Sequence, residues 1–108
     1  MYYVYFLRNG RRGAIKVGHA KNVSSRIAAL QTGNPTELQL LAAIPISSKK
    51  QAENIEKWMH NRFKKQHIRG EWFASNIKLK IVFDSIQKLE LSETLSSYKE
   101  VRGILGRN

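Results

Sequence analysis

The chain opens Tyr2-Tyr3-Val4-Tyr5-Phe6-Leu7, turns through Asn9-Gly10 and Gly13, and returns as Ile15-Lys16-Val17-Gly18. Two apolar runs around a Gly-rich segment predict a β-hairpin, with Asn9-Gly10 and Gly13 supplying the positive-φ positions of the turn. Period-2 alternation puts Val4, Phe6, Ile15 and Val17 on one apolar face. The opposite face then carries Tyr3, Tyr5 and Lys16. Two phenols beside an ammonium are unusual on a purely structural hairpin.

Working outward, 108 residues make one domain, and 42% hydrophobic content supports one core. The sequence has no cysteine, which excludes a disulfide scaffold and Cys-based zinc sites. No apolar run is long enough to cross a bilayer, and residues 2–7 are too short an apolar stretch for a signal peptide, so a cytoplasmic setting without membrane association is expected. Nineteen Lys and Arg against eight Asp and Glu give a formal charge of +11. No acid precedes Glu37, whereas Arg8, Arg11, Arg12, Lys16, Lys21 and Arg26 all do. A second basic cluster follows at Lys57, Arg62, Lys64, Lys65 and Arg69. Such a field attracts a polyanion, so the expected partner is nucleic acid.

Asn22 is an N-cap for a helix over about Val23 to Gln31, with Val23, Ile27 and Leu30 as its buried stripe. Thr32-Gly33-Asn34-Pro35 stops it. Glu37 to Ile44 reads as a third strand, apolar on both faces and so expected at the sheet centre, with Pro45 ending it. Ser48 and Gln51 form a capping box for a long helix over about Lys49 to Gln66, whose core stripe is Ala52, Ile55, Met59 and Phe63. Glu56 and His60 lie four apart beside that stripe and share one side of the helix. Gly70 is expected to end the helix. Trp72 and Phe73 should fill the core beneath the hairpin, and Glu71 is grouped with them as holding the fold. Trp58 lies off the stripe. Helices over about 77–91 and from Ser92 to roughly Leu105 complete the chain. The expected class is α+β: a small three-stranded antiparallel sheet flanked by helices. Residues 1–74 form the core and 75–108 a C-terminal helical extension.

Several stretches in this order resemble the GIY-YIG nuclease superfamily, in its T5orf172/MUG113-like branch. They are Tyr3-Val4-Tyr5, Ile15-Lys16-Val17-Gly18, Arg26 and Leu30-Gln31-Thr32-Gly33-Asn34-Pro35, followed by Glu56 through Phe63 and Arg69-Gly70-Glu71-Trp72-Phe73. The resemblance implies that Tyr5 takes the place of the first motif's tyrosine and Gly18 that of the second motif's glycine. Tyr3 stands where a glycine is usual, and Lys16 where the second tyrosine is usual. His19 falls where several members carry a catalytic or phosphate-binding histidine. Arg26 matches the first-helix arginine, and Glu56 matches the carboxylate that holds Mg²⁺ (or Mn²⁺). The family's late asparagine has Asn76 as its nearest counterpart.

The implied activity is endonucleolytic hydrolysis of DNA phosphodiester bonds, with Tyr5, Lys16, His19, Arg26 and Glu56 catalytic. A divalent cation on Glu56 would bridge phosphate and leaving group. Arg26 would offset charge on the phosphoryl oxygens. Tyr5 would deprotonate or orient the attacking water. A free phenol has a pKa near 10, too high for a good base, and Lys16 across the hairpin is expected to lower it. Tyr3, Arg11, Arg12, Lys21, His60 and Arg69 are the expected nucleic-acid contacts. The alternative is a module that kept the fold and binds nucleic acid without cutting it, with RNA as the other candidate substrate. The short chain lacks a target-reading domain, so a homodimer or a separate targeting protein is the expected source of specificity.

Overall fold

A computed structural model describes residues 1–91 of the chain. The hairpin forms as β1 (Tyr2–Asn9) and β2 (Ile15–Ala20), antiparallel, with Phe6 opposite Val17, Leu7 opposite Lys16 and Tyr5 opposite Gly18. Its turn uses a positive φ at Gly10 alone. Gly13 serves differently: a side chain there would overlap the Asn9 carbonyl. Val4, Tyr5, Phe6 and Leu7 are all buried, so both faces of β1 are covered.

α1 (Val23–Gln31) starts where Asn22 accepts a hydrogen bond from the Ser25 N–H, as its cap position requires. Its apolar stripe packs on Tyr5, Leu7 and Leu38, although no α1 residue is fully buried. Gln31 fixes the loop that follows. Its amide donates to the Asn34 and Thr36 carbonyls and accepts from the Leu38 N–H at 2.8 Å. The Gln-Thr-Gly-Asn-Pro segment therefore ties α1 to the next strand.

That strand, β3 (Leu38–Ile46), departs from expectation in two ways. It is an edge strand rather than the centre, since the sheet order is β3-β1-β2-β5-β4. It also runs through Pro45, which sits opposite Tyr3. The two facts are linked, because proline fits a strand only where its missing N–H is not needed by a neighbour. Leu40 is accordingly half exposed.

α2 (Lys49–Arg62) begins at Ser48, whose hydroxyl accepts from the Gln51 N–H, and buries Ala52, Ile55 and Met59 on the side of the sheet that carries Val17. It ends four residues before the expected Gln66, with Phe63 as its cap and a 3₁₀ turn over Lys64–Gln66. Gly70 does not end a helix. With φ of 53°, it turns β4 (His67–Arg69) into β5 (Trp72–Phe73). The sheet therefore has five strands rather than three. The two extra strands span three and two residues, too few for alternation to show in sequence.

Trp72 and Phe73 lie on opposite faces: Trp72 packs with the Tyr5 cluster, and Phe73 pairs with Ile15. The chain divides into two compact units, the first of them Met1–Ile77. In the second, residues 79–91 are helical, with Val82 and Ile86 buried. The expected helix from Ser92 to Leu105 lies outside the described residues. Among the described residues, no helix is long and apolar enough to cross a membrane.

Candidate functional site

β2 pairs with β5 only through Ile15 and Lys16, and the ladder closes where the Val17 N–H donates to the Glu71 carbonyl at 3.0 Å. Beyond that point, residues 18–20 have no strand on their outer side among the described residues. Side chains from both faces of the sheet gather around this bare edge.

On the α1 face, Tyr5 lies flat over Gly18. Any side chain at Gly18 would overlap the Tyr5 hydroxyl and ring, so this strand position requires glycine. Arg26 reaches back from the exposed side of α1 and donates a hydrogen bond to the Tyr5 hydroxyl. Burial raises the Tyr5 pKa above 10, and the Arg26 hydrogen bond and charge only partly offset this, against the nearby Glu71 and Glu56. Two expectations are thereby corrected. Tyr5 is not an activated phenolate, and the cation that favours its ionisation is Arg26, not Lys16. The register gives the reason: Lys16 stands opposite Leu7, two residues away from Gly18, which faces Tyr5.

Lys16 instead meets β5. Its ammonium lies 3.3 Å from the Glu71 carboxylate and 5.4 Å from the centre of the Trp72 ring. Glu71 thus belongs to the site, although its sequence reading grouped it with the fold-holding residues. Only the two-residue pairing of β5 reveals this, because Glu71 precedes a strand too short to show a pattern.

On the α2 face, Glu56 approaches His19 at 3.8 Å, too far for a hydrogen bond. Both residues keep an orphan. Glu56 Oε1 and His19 Nδ1 are buried and have no hydrogen-bond partner. Burial pushes the Glu56 carboxyl up to about 7, helped by the charges of Glu71 and Glu53 and opposed by Lys16. A small cavity between Val17, Met59 and Phe73 is bordered by both Glu56 and Glu71.

A divalent cation suits these donors. Carboxylate oxygens are hard ligands, and an unpartnered buried oxygen flanked by further negative charge gains most from a cation. Among the described residues, no group of three or more His, Cys, Asp or Glu is placed to hold a metal. A cation would therefore rest on Glu56 and water.

The structure brings Tyr5, Lys16, His19, Arg26 and Glu56 within electrostatic or hydrogen-bonding reach of one another or of Glu71. The expected nucleic-acid contacts are more dispersed. Arg11 and Arg12 are exposed in the hairpin turn, whereas Lys21 is exposed at the opposite end of β2. Tyr3 is half-buried opposite Ala20 and Pro45. Arg69 is exposed on β4, the other edge strand. His60 packs against Phe73 and His67, with ring centres 5.3 and 4.7 Å away. Trp58 meets Phe63 edge-on at 5.8 Å. Asn76 is exposed in the turn after β5.

No curated protein and no solved structure matches the chain. The model of the T5orf172 domain, a family related to GIY-YIG-like nuclease folds, matches residues 2–90. With most of its length covered, including every residue of the site, the chain belongs to the T5orf172 domain family.

Proposed function

We propose that this protein is a Mg²⁺- or Mn²⁺-dependent endonuclease that hydrolyses DNA phosphodiester bonds at the bare edge of β2. The observation that carries this reading is the unsatisfied Glu56 carboxylate, set among Lys16, His19, Arg26 and Tyr5. When bound, the cation supplies Lewis-acid polarisation of the phosphate and stabilises the departing oxygen.

The chain's own groups divide the remaining work. Glu56 supplies the carboxylate on which the cation rests. Arg26 and Lys16 offset charge on the non-bridging oxygens. The Tyr5 hydroxyl, held by Arg26, orients the attacking water or a phosphate oxygen; with its pKa raised it is a poor base. His19 keeps a buried ring nitrogen without a partner and is the other group here that can accept or deliver a proton.

The second reading is a DNA-binding module without chemistry. The observation favouring it is that Lys16, in the place of a motif tyrosine, is already engaged by Glu71. Nicking of supercoiled plasmid with Mg²⁺ separates the two. The wild type should nick and Glu56→Ala should not. Binding by both with cutting by neither, across varied substrates, would leave only the binding module. Oligonucleotides of RNA in the same assay identify an RNA substrate.

A further inference from the structure

A groove of about 500 Å³ runs along the outer side of α2 from Glu53 and Glu56, past Lys57 and His60, to Asn61 and Lys64. It begins at the candidate catalytic carboxylate and ends among cations. We propose that this groove is the track for one DNA strand, which leaves the reaction site toward Lys64, with Lys57, Asn61 and Lys64 contacting successive phosphates. The inference rests on the nucleic-acid reading of the Glu56 site and adds to it a binding surface and a direction.

The charged groups of the groove are sorted by sign along the helix. Glu53 closes the end nearest the start of α2 and repels a phosphate. Lys57 and Lys64 carry the opposite charge along the other part, and the Asn61 amide offers a donor between them. Lys65 extends the basic run beyond the groove, exposed beside Lys64. Within α2, at about 1.5 Å per residue, Lys57 and Asn61 lie about 6 Å apart along the axis.

His60 lines both this groove and the small cavity beside Glu56 and Glu71. It therefore joins the track to the reaction site. A strand leaving Glu56 would pass it on the way to Lys64. The plainer account of the lysines is that cations near a helix C-terminus complement its dipole. That account predicts an effect on folding and none on DNA.

The test measures binding of a fluorescent 20-base-pair DNA duplex to the full chain in EDTA, by anisotropy over a salt series. EDTA separates this question from cutting. The double substitution Lys57→Gln and Lys64→Gln is compared with Lys49→Gln and Lys50→Gln. The second pair removes equal charge from exposed positions at the start of the same helix, away from the groove. The groove pair should weaken binding on the order of tenfold or more at about 0.1 M salt, and should lower the salt slope by about 1.8. The control pair should change both far less. Equal losses from the two pairs, or no loss from the groove pair, would overturn the track. So would a wild type that does not bind. A wild type that binds with the expected lysine dependence but never nicks in Mg²⁺ would refute the endonuclease reading and leave the track standing.

Discussion

The two faces of the sheet treat their polar groups in opposite ways. On the α1 face, the Tyr5 hydroxyl is bonded to Arg26, Lys16 is paired with Glu71, and the ring of Tyr5 fills the space that Gly18 leaves. On the α2 face, Glu56 and His19 come near each other without bonding, and each keeps a buried atom with no partner. Buried polar groups in folded proteins nearly always find partners. The polar groups named on the α1 face already have protein partners, whereas two buried atoms on the α2 face do not.

The largest effect should come from the unfinished face. Glu56→Gln is expected to lower nicking by on the order of 1,000-fold, because it removes the carboxylate on which several kcal/mol of cation-derived stabilisation depends. The folded protein should lose nothing by it. Plasmid nicking beside thermal melts measures both, and a variant that nicks normally would place the chemistry elsewhere.

Gly18→Ala probes the finished face. The added methyl overlaps Tyr5, so a loss of about 1–3 kcal/mol is expected, read from urea unfolding. Unchanged stability would mean that the Tyr5 ring does not lie over Gly18. Tyr5→Phe is milder. It removes one hydrogen bond to a charged group and should cost about 1.5 kcal/mol of stability, with nicking reduced by about tenfold. Its pH profile of nicking should keep the wild-type shape, since a phenol with a raised pKa is not the titrating base.

The last effect depends on pH. The folded pKa of Glu56, about 7, lies above its ordinary value of 4.5. The folded state thus holds the proton more tightly, and stability falls as pH rises between those two values. Glu56→Gln is uncharged throughout. Its melting temperature should match the wild type near pH 4.5 and exceed it by on the order of ten degrees at pH 8. Mn²⁺ should narrow that gap at pH 8, where the carboxylate is ionised and can bind it, and should do little at pH 5. A gap that is independent of pH would show that Glu56 is not strained in the fold.

The hairpin, both helix caps and the Gly33 stop were legible because each rests on local chemistry: alternation, a side-chain oxygen before a helix, a residue free to take positive φ. The positions of Tyr5, Gly18, Arg26 and Glu56 were legible through their motifs. Glu71 was not, since nothing within a few residues of it marks β5 as a strand or Lys16 as its neighbour. The place of β3 was misjudged for a related reason. Apolar residues on both faces of a strand indicate coverage, and only the pairing partners say whether the strand is central.

The sequence by itself determined most of the elements, the excess of positive charge and most of the residue types that meet at the candidate site. Those are properties of short stretches and of sums. Only the tertiary structure decided that Arg26 rather than Lys16 serves Tyr5, that Glu71 joins the site, and that Glu56 is left without a partner. Each of these depends on register across strands and on distance between elements remote in sequence. Hydrogen bonding and electrostatics follow distance in space, and distance along the chain does not encode it.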